Sequence, residues 1–306
     1  MPLPITIIGG YLGAGKTTLV NHLLRHANGR RLAVMVNEFG ALPIDEDLIE
    51  AEDDQIISLA GGCVCCSYGE DLVSSMAMLA TLRPRPDMVL LEASGVSFPG
   101  AIAGTVGLVP TYKLDGVVVL ADGETIRAQA ADKYIGGTIR GQLAQADMVL
   151  LNKTDLIEDD DIVRRWLNGT SGEARIVRSM YARVPFDVVF GTIWRDGKHG
   201  VEVADRYHAD GYETLAFVTA PGVRPDQAVT VCADATTGLL RAKGFVPRPE
   251  GGLAQIQVVG RRGEIADAPA GAEPGVVCIG LADQINRAAL AVLADDRNSI
   301  TERQAS

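Results

Sequence analysis

The sequence predicts an α/β fold: a mostly parallel sheet covered by helices on both faces, followed by a smaller C-terminal α+β domain. Three observations predict it. Near-continuous apolar runs of strand length alternate with helical patterns through the first two-thirds of the chain. A glycine-rich phosphate-binding loop sits between the first strand and the first helix. After about residue 190 the alternation stops and several strands follow one another.

The strand candidates are Ile5–Ile8, Leu32–Val36, Ile56–Leu59, Met88–Leu91, Val117–Leu120, Met148–Leu151 and Arg175–Val177. Helical patterns fall between them, at Glu70–Leu82 and Ile126–Gln145 among others. Strands that are apolar at every position are buried on both faces, and parallel order follows from the intervening helices. The chain predicts a domain over residues 1–190, a linker over 191–211 that includes the polar run Trp194 to Gly200, a C-terminal domain over 212–296 and a polar tail over 297–306. In the C-terminal part, Thr214–Thr219, Leu239–Val246, Leu253–Val259 and Val276–Leu281 read as strands, and Asp283–Leu293 as an amphipathic helix. The valine-rich segment Val223–Ala233 reads equally as helix or strand, and Glu264–Pro274 reads as a loop of alanine, glycine and proline. No internal repeat is visible.

Bulk properties narrow the function classes. The chain has 306 residues, 47% hydrophobic and 22% charged, which is long enough for more than one domain and a large core. Its net charge of −11 argues against broad binding to nucleic acid or to an acidic membrane surface, because the long-range field repels phosphate. No apolar run reaches the roughly 18–20 residues that a membrane-spanning helix requires. No secretory leader is evident, so a cytoplasmic location is expected and a stable disulfide is disfavoured.

The first chemical motif is the run from Gly9 to Thr18, in which Gly10, Gly15, Lys16 and Thr17 stand at Walker A spacing. Gly10, Gly13, Ala14, Gly15, Lys16, Thr17 and Thr18 are the expected phosphate-binding residues. Glycines allow backbone N–H groups to close around a phosphate, and the helix N-terminus adds its positive dipole end. Lys16 reaches the β- and γ-phosphates, and the Thr17 hydroxyl is placed to ligate Mg²⁺. This loop makes the α/β domain a P-loop nucleoside-triphosphatase fold.

A second motif follows from the first. The strand Met88–Leu91 ends in Glu92, with Gly95 three residues further on. A carboxylate at the carboxyl end of a strand can hold Mg²⁺ directly or through water, and Gly95 lets its N–H approach a γ-phosphate. Lys16 and Glu92 are therefore the catalytic candidates. The third motif selects the base. Met148–Leu151 runs into Asn152-Lys153-Thr154-Asp155, the Asn-Lys-x-Asp pattern of guanine sites. A buried Asp155 accepts hydrogen bonds from guanine N1–H and its exocyclic amino group, donors that adenine lacks in that arrangement. The Lys153 stem covers the base plane, and Ser179 is placed in the last base-contacting loop. The expected cofactors are GTP and Mg²⁺, with Glu38 and Asp45, in the segment after the second strand, as further candidate magnesium contacts.

A different chemistry is written in Gly61-Gly62-Cys63-Val64-Cys65-Cys66, which holds three of the five cysteines. Thiolates suit Zn²⁺, Cu(I) and similar soft or borderline ions, and three from one short loop leave a tetrahedral position open. A disulfide, a redox switch and a four-ligand structural site are the alternatives. Cys232 and Cys278, in apolar strand-like runs, read as small buried hydrophobes. His22 and His26, spaced i, i+4 on the first helix, form either a metal-binding face or an ordinary helix surface.

These pieces carry a resemblance. Gly9–Thr18, Asn37-Glu38-Phe39-Gly40, Gly62-Cys63-Val64-Cys65-Cys66, Glu92-Ala93-Ser94-Gly95 and Asn152-Lys153-Thr154-Asp155 together resemble the CobW-like P-loop GTPases, relatives of the GTPases that load nickel into hydrogenase and urease. Leu240-Arg241-Ala242-Lys243-Gly244-Phe245 resembles that family's C-terminal signature. The resemblance implies a GTP-hydrolysing metallochaperone that binds Zn²⁺ or Co²⁺ at Cys63, Cys65 and Cys66 and hands it to a client metalloprotein. Turnover is expected to be slow until a partner or a homodimer forms. The alternative is a regulatory GTPase whose cysteines hold a structural metal or sense redox state. Two departures stand out: Ala41 replaces the second glutamate that often follows Asn-Glu-Phe-Gly, and the histidine-rich stretch of many members is missing, with only His22, His26, His199 and His208 present.

Overall fold

The structure is a computed structural model that describes residues 2–27, 29–37, 56–59, 70–191 and 211–294. It divides into two compact units, Met1–Val189 and Phe190–Ser306.

Among its described residues, the first unit holds a seven-stranded sheet. The strands are β1 (Leu3–Gly10), β2 (Leu32–Asn37), β3 (Ile56–Leu59), β4 (Met88–Ala93), β5 (Tyr112–Asp122), β6 (Met148–Asn152) and β7 (Arg175–Arg178). Their order across the sheet is β3-β2-β4-β1-β5-β6-β7, and every neighbouring pair is parallel. Parallel strands need crossovers, which the helices supply. These are α1 (Lys16–Arg25), α2 (Glu70–Thr81), α3 (Pro99–Gly107), α4 (Ile126–Ala131), α5 (Gly136–Ala144), α6 (Asp160–Thr170) and α7 (Phe186–Phe190).

The unbroken apolar runs are explained by burial on both faces. Leu90 and Leu91 point to opposite sides of β4, yet both are fully buried, as are Leu150 and Leu151 of β6. On one face, Ile5, Ile7, Val89, Leu91, Val119 and Leu151 pack with Met76 and Leu79 of α2, Ile102 and Val106 of α3, and Ile139 and Leu143 of α5. Helix α1 buries Leu19, Val20, Leu23 and Leu24 and packs against β1 and β4.

The second unit carries an antiparallel sheet of β8 (Tyr212–Phe217), β9 (Leu239–Pro247), β10 (Leu253–Val259), β11 (Arg262–Asp267) and β12 (Gly275–Leu281), ordered β11-β10-β9-β12-β8. Helix α8 (Pro225–Ala233) lies against it, with Ala228 and Cys232 buried among Ala242, Val246, Ile256, Val258 and Cys278.

The predicted fold class is the observed one, and four local expectations need correction. The pattern over 126–145 is two helices, because Asp132 adopts an extended backbone and its carboxylate accepts the N–H groups of Tyr134 and Ile135. The ambiguous 223–233 segment is helical, with Pro225 in the first turn where a missing N–H costs nothing; Cys232 is therefore on a helix. The first four residues of the loop expected over Glu264–Pro274, Glu264 to Asp267, are strand β11 (Arg262–Asp267) instead. Gly260 and Arg261 form a two-residue hairpin turn that pairs Val259 with Arg262 and Ile256 with Ile265. Only Arg287–Leu290 (α9) of the expected 283–293 helix forms, capped by the Asn286 side chain, although Leu290 and Leu293 are both buried as the pattern required.

Candidate functional site

The strand register gathers the chemistry at one edge of the first sheet. β1 ends at Gly10, and its neighbour β4 places Glu92 opposite Ile8. On the other side, Gly10 pairs with Leu120, and one strand further Asp122 pairs with Asn152. All are at the carboxyl ends of parallel strands, where loops converge on ligands in open α/β sheets.

The phosphate loop turns from β1 into α1 through left-handed positions. Gly15 has φ +104°, and a Cβ there would meet the Asn152 amide nitrogen at 2.5 Å, so only glycine fits. Gly13 also takes a positive φ, at +75°. Lys16 opens α1 and is buried; its ammonium lies 3.5 Å from the Tyr11 carbonyl, folded back over the loop. The Thr17 hydroxyl donates to Glu92 Oε1 at 3.2 Å, and Glu92 is itself buried. A hydroxyl and a carboxylate of hard oxygen character beside the loop fit Mg²⁺, which takes few protein ligands and keeps water and phosphate for the rest. Thr18 faces solvent.

At the other end of the cleft, Asn152 is a hub. Its Nδ2 donates to the Ala14 carbonyl at 3.0 Å. Its Oδ1 accepts from Ser179 Oγ at 3.1 Å and from the Ala182 N–H at 2.8 Å. One buried side chain thus ties the phosphate loop to the segment after β7. Ser179 N–H donates to the Leu151 carbonyl at 2.8 Å, and Thr154 returns to the Ser179 carbonyl through its N–H and its hydroxyl. Lys153, Tyr181 and Ala182 all hold positive φ, at 60°, 53° and 53°. Such backbone in residues other than glycine stores strain that the surrounding hydrogen bonds hold in place. Asp155 lies in a 3-10 turn and is exposed, where the sequence reading placed a buried acid.

Two residues of this site were missed in the sequence. Asp122 is buried at the end of β5 and its Oδ2 accepts from Lys153 Nζ at 2.7 Å, while Oδ1 accepts the N–H groups of Glu124 and Thr125. It ends an apolar strand in an acid, the same signal that singled out Glu92. The second, Gln142, gave no such signal.

Glu38, Asp45, Cys63, Cys65 and Cys66 lie outside the described residues. The strands that precede them in the sequence, β2 and β3, are paired in parallel, and β2 pairs in parallel with β4. Among the described residues no cluster of three or more histidine, cysteine or acidic side chains could hold a metal. Cys232 and Cys278 are buried, and the Cys278 thiol is held well above its ordinary pKa, by its hydrogen bond with Cys232 first and by burial second. His22 and His26 stack at 4.3 Å, and His22 Nε2 sits 2.9 Å from the Val184 carbonyl. His22 is thus a packed residue on the inner side of α1. Its burial lowers its pKa below the usual 6.5. No described helix is long and apolar enough to cross a membrane.

The family model for the CobW/HypB/UreG nucleotide-binding domain matches residues 4–178. The chain belongs to the CobW/HypB/UreG family. That makes it a P-loop GTPase of the CobW-like class. A CobW-family relative, the zinc chaperone CobW of Sinorhizobium sp., is 30% identical, with 85% of this chain and 86% of that protein covered. The zinc chaperone YjiA of Escherichia coli is 31% identical over 62% of each chain. The zinc-regulated GTPase metalloprotein activator 1 of Schizosaccharomyces pombe is 33% identical over 60% of this chain, which spans only 47% of that protein. The crystal structure of Zn(II)-bound YjiA GTPase from E. coli is 24% identical, with 96% of this chain and all of that one aligned at a TM-score of 0.46.

Proposed function

We propose that this chain is a GTP-hydrolysing zinc metallochaperone that releases its cargo to a client metalloprotein in a nucleotide-dependent step. The observation that carries the proposal is the shared edge of the first sheet. The phosphate loop, Glu92, Asp122 and Asn152 all stand there, and in the sequence Glu38, Asp45 and the three cysteines follow β2 and β3, two parallel strands of the same sheet. The names of the relatives support zinc as cargo. Co²⁺, which accepts the same thiolate and imidazole ligands, is the second candidate.

In this reading the glycine loop and the α1 N-terminus bind the phosphates through Gly10, Gly13, Ala14, Gly15 and Thr18. Lys16 neutralises charge on the β- and γ-phosphates. Thr17 and Glu92 hold Mg²⁺, with Glu38 and Asp45 as further contacts. When bound there, the ion would supply positive charge against the negative charge that develops on the phosphates. Gly95 presents its N–H to the γ-phosphate. Asn152 holds the base pocket together, Lys153 covers the base plane, and Asp155 turns in to read guanine when the nucleotide is present. Cys63, Cys65 and Cys66 hold the cargo ion as thiolates. Ala41, three residues after Glu38 in the sequence, has no donor atom to add a ligand from that position. The second unit supplies the surface that selects the client.

Zinc stoichiometry and hydrolysis test this together. Under reducing conditions the chain is expected to bind one Zn²⁺, to lose it when Cys63, Cys65 and Cys66 are changed to serine, and to hydrolyse GTP in preference to ATP. Zinc binding that survives the triple cysteine substitution contradicts the proposed cargo site.

A further inference from the structure

The loop that follows Glu92 is held by one buried side chain from a different helix. Ser94, Gly95, Val96 and Ser97 form a turn closed by the Ser97 N–H donating to the Ser94 carbonyl at 3.0 Å. Gln142, on α5, is only 1% exposed. Its Nε2 donates to the Gly95 carbonyl at 3.0 Å and to the Ser97 carbonyl at 2.8 Å. An amide nitrogen carries two N–H groups, and here each has one carbonyl of the same turn. The turn is therefore gripped from outside at its second and fourth residues.

The grip matters because of what lies on the other side of Gly95. A Cβ on Gly95 would meet Leu12 Cδ2 at 2.6 Å, Leu12 Cγ at 2.8 Å and the Leu12 backbone nitrogen at 3.0 Å. The turn is thus pressed against the phosphate loop itself. Gly95 is buried, and among the described residues its N–H meets no acceptor. A buried backbone donor is costly to leave unmet, and here it stands beside a loop built for anions.

We infer that Gln142 is a positioning residue for GTP hydrolysis, setting the Gly95 N–H at the γ-phosphate. The inference rests on the phosphate-site reading given above. Gln142 touches no nucleotide; it acts through the Gly95 and Ser97 carbonyls. It also makes α5 part of the γ-phosphate sensor, so that displacement of α5 shifts the donor. Preorganised donors of this kind act most where charge develops in the transition state. GDP has no γ-phosphate and is blind to the arrangement.

The test compares Gln142→Met and Gln142→Glu with the unaltered full chain and Mg²⁺. Methionine keeps the length and loses both donors, and glutamate sets a carboxylate against two carbonyls. Gln145→Met serves as a control at the C-cap of the same helix: the Gln145 side-chain Oε1 accepts the Gly100 N–H at 2.8 Å, away from Gly95. The expected result is a kcat lowered about tenfold in both Gln142 variants and a GTP-analogue to GDP affinity ratio lowered about fivefold, with GDP affinity within about twofold of the parent. Gln145→Met is expected to leave kcat and GDP affinity unchanged. A kcat that stays at the parent value in the Gln142 variants overturns the inference. So does a GDP affinity that falls in step with kcat, which marks Gln142 as a packing residue only. An unaltered chain that turns over no GTP sinks the underlying reading instead.

Discussion

The two ends of the nucleotide cleft are built on different principles. At the base end, one buried amide makes three hydrogen bonds that join the phosphate loop, β6 and the segment after β7. At the γ-phosphate end, the contacts include a threonine–glutamate hydrogen bond, the Lys16 ammonium on the Tyr11 carbonyl and a turn held from behind by Gln142. The base end is self-satisfied: its donors and acceptors are spent on one another, which suits recognition that does not change with the hydrolysis state. The phosphate end keeps a buried donor, a lysine and a carboxylate facing the place where charge changes. A GTPase that works as a switch needs this division, because only the end that sees the γ-phosphate can report its loss.

The comparison can be broken most severely at its hub. Asn152→Ala leaves the Ala14 carbonyl, the Ser179 hydroxyl and the Ala182 N–H without their buried partner. At about 1 kcal/mol per hydrogen bond, the total is about 3 kcal/mol. GDP affinity is expected to fall roughly 100-fold and the melting temperature to drop; a shift of less than about tenfold in a fluorescent-GDP titration shows that the base end is not built around this residue.

A gentler change sharpens the division. Asp122→Asn removes the charge that holds the Lys153 ammonium. The pair is partly exposed on the lysine side, so a loss of about 1 kcal/mol is expected, roughly fivefold in affinity for GDP and GTP alike. Because the effect is confined to the base end, kcat at saturating GTP should not move. A drop in kcat without a change in affinity would place Asp122 at the wrong end of the cleft.

The smallest effect concerns the join between the two ends. His22, on the helix that begins with Lys16, contacts the Val184 carbonyl just beyond the base segment. Its folded-state pKa is lowered, chiefly by burial. As pH falls below about 6.5 the unfolded chain takes up a proton that the folded chain resists, so stability declines with falling pH through that window. The loss is complete once pH is below the folded-state pKa. His22→Gln should flatten the acid side of a melting-temperature profile between pH 7 and 5, and an unchanged slope would remove His22 from the account.

What was legible in the sequence follows the same physics. The strands β1, β4 and β6 are largely apolar runs because both faces are covered; β1 runs into the phosphate loop at Gly10, β4 carries Glu92 one residue before its end, and β6 ends at Asn152. The phosphate loop declared itself through glycines that no side chain could replace. Asp122 carried the signal of an acid ending an apolar strand, but its partner Lys153 lies 31 residues away; Gln142 was not legible, because its meaning lies in contacts about 45 residues away, with the Gly95 turn. A glutamine inside an amphipathic helix has no pattern that announces two carbonyl partners. The break at Asp132 and the shortness of α9 were missed for a related reason. Hydrophobic spacing records which residues are buried, as it did for Leu290 and Leu293, without recording whether the backbone between them is helical.

The central claim is that the γ-phosphate end is coupled to the cysteine segment. The most direct measurement is a competition titration of Zn²⁺ under reducing conditions, with a GTP analogue plus Mg²⁺ and again with GDP. The account predicts binding that needs Cys63, Cys65 and Cys66 and that differs at least tenfold between the two nucleotides, a coupling of about 1.4 kcal/mol. Zinc bound through the cysteines with the same affinity in both states would contradict it, and would leave a GTPase with a structural or sensing metal.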